Sequence, residues 1–127
     1  MKKPTDVELE ILQVLWEAGP STVRFVNDEL NKQRNNETGY TTTLKMLQLM
    51  TEKGLVGRDT SSRTHVYQAL LNQEDAQQNL VNRLVDTAFG GSARKLVMQA
   101  LGHKKTSKKD LEEIKKMIDQ MEKGGNA

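Results

Sequence analysis

The chain has 127 residues, 35% apolar and 28% charged, with a formal net charge of +2. It holds no cysteine, which excludes disulfides, thiolate metal sites and cysteine nucleophiles; the length suits one small domain, or one with an appendage. No apolar run approaches the roughly 18 residues of a membrane span, and the start MKKPTDVELEIL turns acidic where a signal peptide needs its apolar centre, so a cytoplasmic protein without direct membrane binding is expected.

Thr5-Asp6-Val7-Glu8 has the capping-box pattern, and the helix it opens should end near Ala18, before Gly19-Pro20. Asp6, Glu10, Gln13 and Glu17 share one polar face; Leu9, Ile11, Leu12, Leu15 and Trp16 fill the rest. Trp16 reads as core. After the extended piece Ser21-Thr22, a second helix begins near Val23, with Phe25, Val26 and Leu30 as its apolar stripe. A polar loop from Arg34 to Gly39 follows. The third helix should run from about Tyr40 to Lys53 and stop at Gly54. On it Thr43, Met46, Leu47 and Met50 point one way, Thr41, Lys45 and Gln48 the other, with Thr42 on the flank.

Leu55-Arg58 and Thr64-Leu70 are strand candidates around the polar turn Asp59-Arg63. Asn72 is a candidate cap for a helix whose apolar face is Leu80, Val81, Leu84, Val85, Ala88 and Phe89. Gly90-Gly91 breaks it, and Ser92 can cap a short helix carrying Leu96, Val97, Ala100 and Leu101. A basic connector, Gly102 to Thr106, leads to a last helix capped from Ser107, with Leu111, Ile114, Ile118 and Met121 in register. Gly124 to Ala127 should fray.

The expected fold is mainly α with a small β-hairpin wing: a winged helix-turn-helix over residues 1–71 and a helical dimerisation region over 72–127. The second part has apolar faces and too little mass to bury them alone. Pairing with a second copy is the common solution, so Leu80, Leu84, Ala88, Leu96, Leu111, Ile114, Ile118 and Met121 are the candidate dimerisation residues.

Residues 1–71 carry nine basic and nine acidic side chains, yet from Lys32 to Arg63 there are six basic residues against three acidic ones. A locally basic stretch is compatible with a nucleic-acid reader. The outer face of the third helix carries hydroxyls, an amide and a lysine, with no carboxylate before Glu52. Thr41 and Thr42 can bond bases or phosphates and touch thymine methyls; Lys45 can reach guanine or a phosphate, Gln48 adenine or a phosphate. A solvated helix face is the plain alternative. On the wing, Arg58, Arg63 and His65 can reach phosphates or a minor groove, or simply protect an edge strand. Tyr40 can stack, bond a phosphate, or pin the loop before it. Lys104, Lys105, Lys108 and Lys109 read as a solvated connector. His65 and His103 stand apart without cysteine, so no metal or cofactor is expected. There is no GxSxG elbow, phosphate-binding glycine loop, HExxH or pocketed carboxylate pair, so no enzyme is expected.

Tyr40-Thr41-Thr42-Thr43-Leu44, Glu52-Lys53-Gly54-Leu55-Val56, Arg58 and His65-Val66-Tyr67 resemble the recognition-helix-and-wing signature of the penicillinase repressor family (BlaI/MecI/CopY type). The segments Glu8-Leu9-Glu10-Ile11-Leu12, Val14-Leu15-Trp16 and Gly19-Pro20-Ser21-Thr22-Val23-Arg24 are similar to that family's first helix and following strand, and Ala88-Phe89-Gly90-Gly91-Ser92 to its helix break. The resemblance spans about residues 5–121. It implies a dimeric transcriptional repressor on an inverted-repeat operator. In one branch a membrane sensor with a metalloprotease domain triggers repressor cleavage; in another, C-terminal cysteines take part in copper sensing. This chain departs at three points. Leu49 stands where the family often has arginine, the copper-branch cysteines are absent, and Gln99-Ala100 occupies the place of the Asn-Phe cleavage bond. The expected function is therefore operator-binding repression released by a sensor-linked signal. The alternative is a winged-helix protein-interaction module without sequence-specific DNA binding.

Overall fold

A computed structural model describes residues 3–33, 37–103 and 106–124. Residues 34–36 of the polar loop, Lys104 and Lys105 of the connector and 125–127 of the C-terminal end lie outside them, as does the side chain of His103. The element order is α1 (Asp6–Ala18), β1 (Ser21–Thr22), α2 (Val23–Gln33), α3 (Tyr40–Lys53), β2 (Val56–Asp59), β3 (Val66–Ala69), α4 (Gln73–Ala88), α5 (Ala93–His103) and α6 (Lys108–Lys123). The chain forms two compact units, Met1–Gln78 and Asn79–Ala127.

Local chemistry sets most boundaries of the first unit. The Thr5 hydroxyl accepts from Glu8 N–H (3.2 Å) while Glu8 Oε1 accepts from Thr5 N–H (2.8 Å), a complete capping box. The Thr22 hydroxyl caps α2 by accepting from Phe25 N–H at 3.2 Å. At the end of α3, Gly54 is left-handed (φ 81°, ψ 13°); Leu55 N–H reaches back to Met50 O and Gly54 N–H to Thr51 O. This is a Schellman turn, and it sends Leu55 and Val56 directly into the core.

That core is shared by Ile11, Leu12 and Leu15 of α1, Val26 and Leu30 of α2, Leu47 and Met50 of α3, Leu55, Val56, Tyr67 and Leu71. Phe25, expected in the apolar stripe of α2, is instead 42% exposed, and Val23 takes the inward position. Trp16 is half-buried at the rim, where its indole N–H donates to Leu71 O at 2.9 Å. Ala76, in the first turn of α4, also packs into this core.

The sheet has three antiparallel strands in the order β1-β3-β2. The extended pair before α2 becomes an edge strand, with Ser21 opposite Tyr67 and Thr22 opposite Val66. On the other side Arg58 stands opposite Tyr67 and Asp59 opposite Val66. Of the two alternating faces of β3, the one carrying Tyr67 and Ala69 turns inward, and Gln68 turns out. The wing turn is held by the Asp59 carboxylate, which accepts Ser61 N–H at 2.9 Å, and by the Ser62 hydroxyl, which donates to Thr64 O at 2.8 Å. The backbone and hydroxyl hydrogen bonds from Ser61 lower the Asp59 pKa.

A half-buried ion pair joins the start of α1 to the end of α3. Glu8, almost fully buried, accepts from Lys53 Nζ at 2.6 Å. Burial alone would raise the Glu8 pKa, but the bonds from Lys53 and Thr5 and the lysine charge outweigh it and hold the carboxyl below its ordinary range.

In the second unit, the α4 break has left-handed Gly90 and Gly91, with Gly91 N–H bonded to Val85 O at 2.9 Å. Ser92 accepts from Lys95 N–H at 3.2 Å, and Ser107 from Asp110 N–H at 3.0 Å, as N-caps should. Among the described residues from 79 onward, no side chain is buried.

Candidate nucleic-acid interface

The α3 surface is organised by its 3.6-residue period. Thr43, Leu47 and Met50 are buried, while Thr41, Thr42, Lys45, Gln48 and Leu49 are exposed. The core fixes this orientation: three inward side chains anchor the helix, and the outer ones follow from the period.

Two hydrogen-bond systems, one half-buried and one buried, fix where α3 begins. Asn31, on α2, accepts Thr38 N–H (2.7 Å) through its side-chain oxygen and donates to Thr38 O (3.0 Å) through its amide nitrogen. One turn earlier, the Asn27 amide meets the Thr43 hydroxyl at 2.7 Å. Turning its nitrogen toward the loop also lets it donate to Thr38 O (2.9 Å) and Gly39 O (3.3 Å). Two asparagines four residues apart thus hold the entrance to the outer helix. Neither stood out in the sequence, because asparagine on a helix has many uses and their partners lie across a loop.

Beside α3 lies an open groove of about 640 Å³. It is lined by Tyr40, Leu44 and Gln48 from α3, Thr22 from β1, Val23 and Arg24 from the start of α2, and Arg58, Arg63 to His65 and Tyr67 from the wing. Tyr40, Gln48, Arg58 and Arg63, separate in sequence, therefore meet at one place. Arg24 joins them, its guanidinium carbon 5.2 Å from the centroid of the Tyr40 ring, a cation–π contact. Arg24 is the residue that sequence reasoning missed as a site residue; its only signal was position, next to the capped start of α2. Thr42 faces away from this groove. It lines a separate hollow of about 400 Å³ with Val7, Ile11, Leu30 and Met46. Thr41 and Lys45 lie on the crest between the two, exposed and lining neither.

The dimerisation candidates divide by exposure. Leu84, Ala88, Leu111, Ile118 and Met121 are exposed, and Leu80, Leu96 and Ile114 are half-buried. Val81, Val97, Met98 and Met117 extend the exposed apolar surface. Met98 and Met117 were not singled out in the sequence, since methionine fits a solvated flank as well as an apolar one.

Among the described residues, no group of three or more His, Cys, Asp or Glu is placed to hold a metal ion, and no helix is long and apolar enough to cross a membrane. The family described as penicillinase repressor matches residues 4–120. No curated protein matches the sequence. Among solved structures, the chain is similar to a MarR family protein from Bacillus stearothermophilus, at 17% identity and a TM-score of 0.51, over 99% of this chain and 78% of that one. At that identity the likeness speaks for the winged-helix fold.

Proposed function

The chain belongs to the penicillinase repressor family, a family of DNA-binding transcriptional repressors, and from that premise we propose that it acts as a homodimer on an inverted-repeat operator. Two copies of α3, related by the dimer axis, enter successive major grooves about 34 Å apart. Thr41, Thr42, Lys45 and Gln48 read bases; Tyr40, Arg58 and Arg63 hold the backbone. Residues 1–71 serve as the reader and 72–127 as the pairing region, in the cytoplasm. Repression follows from occlusion of the promoter.

The observation that carries the reading is the outer face of α3: Thr41 and Lys45 are exposed on its crest, Thr42 and Gln48 are exposed on its two flanks, and the wing arginines line the groove on the Gln48 side. Aromatic anchors of the kind a protein hot spot favours are confined to Tyr40 at its edge. For pairing, the support is the second unit, which buries none of its described side chains. Each large apolar side chain moved fully from water into an interface is worth about 1.5–3 kcal/mol. Release is by a sensor-linked signal, with a membrane sensor protease acting upstream as one route. The bond Gln99–Ala100 lies inside α5, so a protease acting there must first open that helix.

The test is a footprint of the full chain on its upstream intergenic region. Two protected half-sites one turn apart are expected. Lys45→Ala should weaken operator binding by about 1–3 kcal/mol if Lys45 reads a base. Ile118→Glu should give a monomer in sedimentation and lose most operator affinity, because linked half-sites share one association cost. Binding that is indifferent to salt and sequence would instead point to a protein-interaction module.

A further inference from the structure

The outer face of α3 carries one large aliphatic side chain. Leu44, Met46, Leu47 and Met50 of the same helix all pack into the core or against it, whereas Leu49 is 42% exposed. It lines neither of the two hollows that flank the helix. A single exposed leucine is ordinary on a protein surface; the position of this one is what carries weight. At about 100° per residue, Leu49 projects about 40° from Lys45 and about 20° from Thr42. Seen down the helix axis it stands between those two, and both are exposed. A duplex that meets Thr42 and Lys45 therefore meets Leu49 as well.

The chemistry of the contact then decides what Leu49 accepts. Its side chain has no donor and no acceptor. In the major groove guanine presents acceptors, cytosine a donor and adenine both, while thymine alone adds an apolar group, its C5 methyl. Pressing Leu49 onto a guanine, adenine or cytosine edge strips water from polar atoms and returns no hydrogen bond. Pressing it onto the methyl removes two apolar surfaces from water together. A protein partner suits it less well: its exposed neighbours are Thr42, Lys45 and Gln48, and binding hot spots favour Trp, Tyr and Arg over Leu.

We propose that Leu49 reads the C5 methyl group of one thymine in each operator half-site. This rests on the DNA-binding reading of α3 and adds to it a specificity-determining residue that makes no hydrogen bond. Thr41, Lys45 and Gln48 select through donors and acceptors. Leu49 selects by excluding water, and it rejects cytosine, which in the same pyrimidine position lacks the methyl and presents an N4 donor. The thymine lies within about two base pairs of the base met by Lys45, because Leu49 sits about 6 Å further along α3 and bases stack about 3.4 Å apart.

The experiment uses the full-length chain and the footprinted duplex. Thymines in the footprint are replaced one at a time by uracil, which lacks only the methyl. At one position per half-site the parent should weaken about four-fold, the worth of one buried methyl-sized group. Leu49→Ala should be indifferent to uracil at that position, and Leu49→Met, still apolar and of similar reach, should keep the response. Thymines touched by the methyl groups of Thr41 or Thr42 should stay sensitive in all three proteins. Binding to a random duplex should be the same for Leu49→Ala and the parent, since phosphate contacts supply it; that equality separates a lost methyl contact from a lost fold. Leu49→Gln should move the preferred base at the sensitive pair from thymine to adenine, which an amide can bond in two places. If the parent and Leu49→Ala respond alike to every uracil, or no thymine is sensitive, the proposal is overturned and the DNA reading stands. If the parent prefers no duplex over a random one, the DNA reading falls and takes the role of Leu49 with it.

Discussion

Replacing Lys53 by methionine leaves the Glu8 carboxylate buried with Thr5 as its remaining partner among the bonds it makes here. Deleting one member of a fully buried ion pair costs about 3–5 kcal/mol. Glu8 is 2% exposed but the Lys53 side chain is 32% exposed, so solvent screens part of the interaction; about 2 kcal/mol is the expected loss. Glu8→Gln should cost less, about 1 kcal/mol, because glutamine keeps the capping box and leaves no buried charge. The double variant should cost less than the two singles added, by about 1 kcal/mol. Urea unfolding followed by Trp16 fluorescence measures all three, since this sole tryptophan is bonded to Leu71 in the same unit. The pH dependence adds a second check. The Glu8 pKa is lowered in the folded chain, so its stabilisation is complete above the unfolded carboxylate value, about 4.3. It is lost as pH falls through the folded value. In Lys53→Met burial dominates and raises the folded pKa, so the gap between parent and variant should narrow from pH 7 to pH 3. A loss below 0.5 kcal/mol at pH 7, or a gap that does not change with pH, would refute the assignment of this pair as a clamp.

Asn27→Ala removes the buried link between α2 and the loop into α3 and should cost about 2 kcal/mol in urea unfolding, with a loss below about 0.5 kcal/mol counting against the link; Asn31→Ala frees the Thr38 N–H and should speed its amide exchange. Gly54→Ala places a Cβ at φ 81°, where nothing lies within 4 Å, so the cost is backbone strain alone, about 1–2 kcal/mol; Gly54→Asn should recover part of it, and equal losses would contradict a conformational cause. Ser107→Ala deletes the α6 cap and should lower helical ellipticity and cost about 1 kcal/mol of helix stability.

Much of this protein was decided within a few residues at a time, and that part was legible in the chain. Thr5 with Glu8, Gly54 after Lys53, Ser92 and Ser107 mark helix ends because capping bonds span three to six residues. The exposed ridge of Thr41, Lys45 and Gln48 follows from helical period alone once Leu47 and Met50 are inside. Other features required distant segments to meet. Ser21-Thr22 reads as a connector until Val66 and Tyr67 supply its partner strand. Which face of β3 turns inward is set by the helices beneath it, since alternation offers both faces equally. Arg24 gains its place only when Tyr40, sixteen positions on, brings an aromatic ring over it; Glu8 waits for Lys53, 45 positions away. Short-range bonds write themselves into residue order, whereas the groove beside α3 exists only because a shared core pulls α2, α3 and the wing together, and burial is a property of the whole assembly.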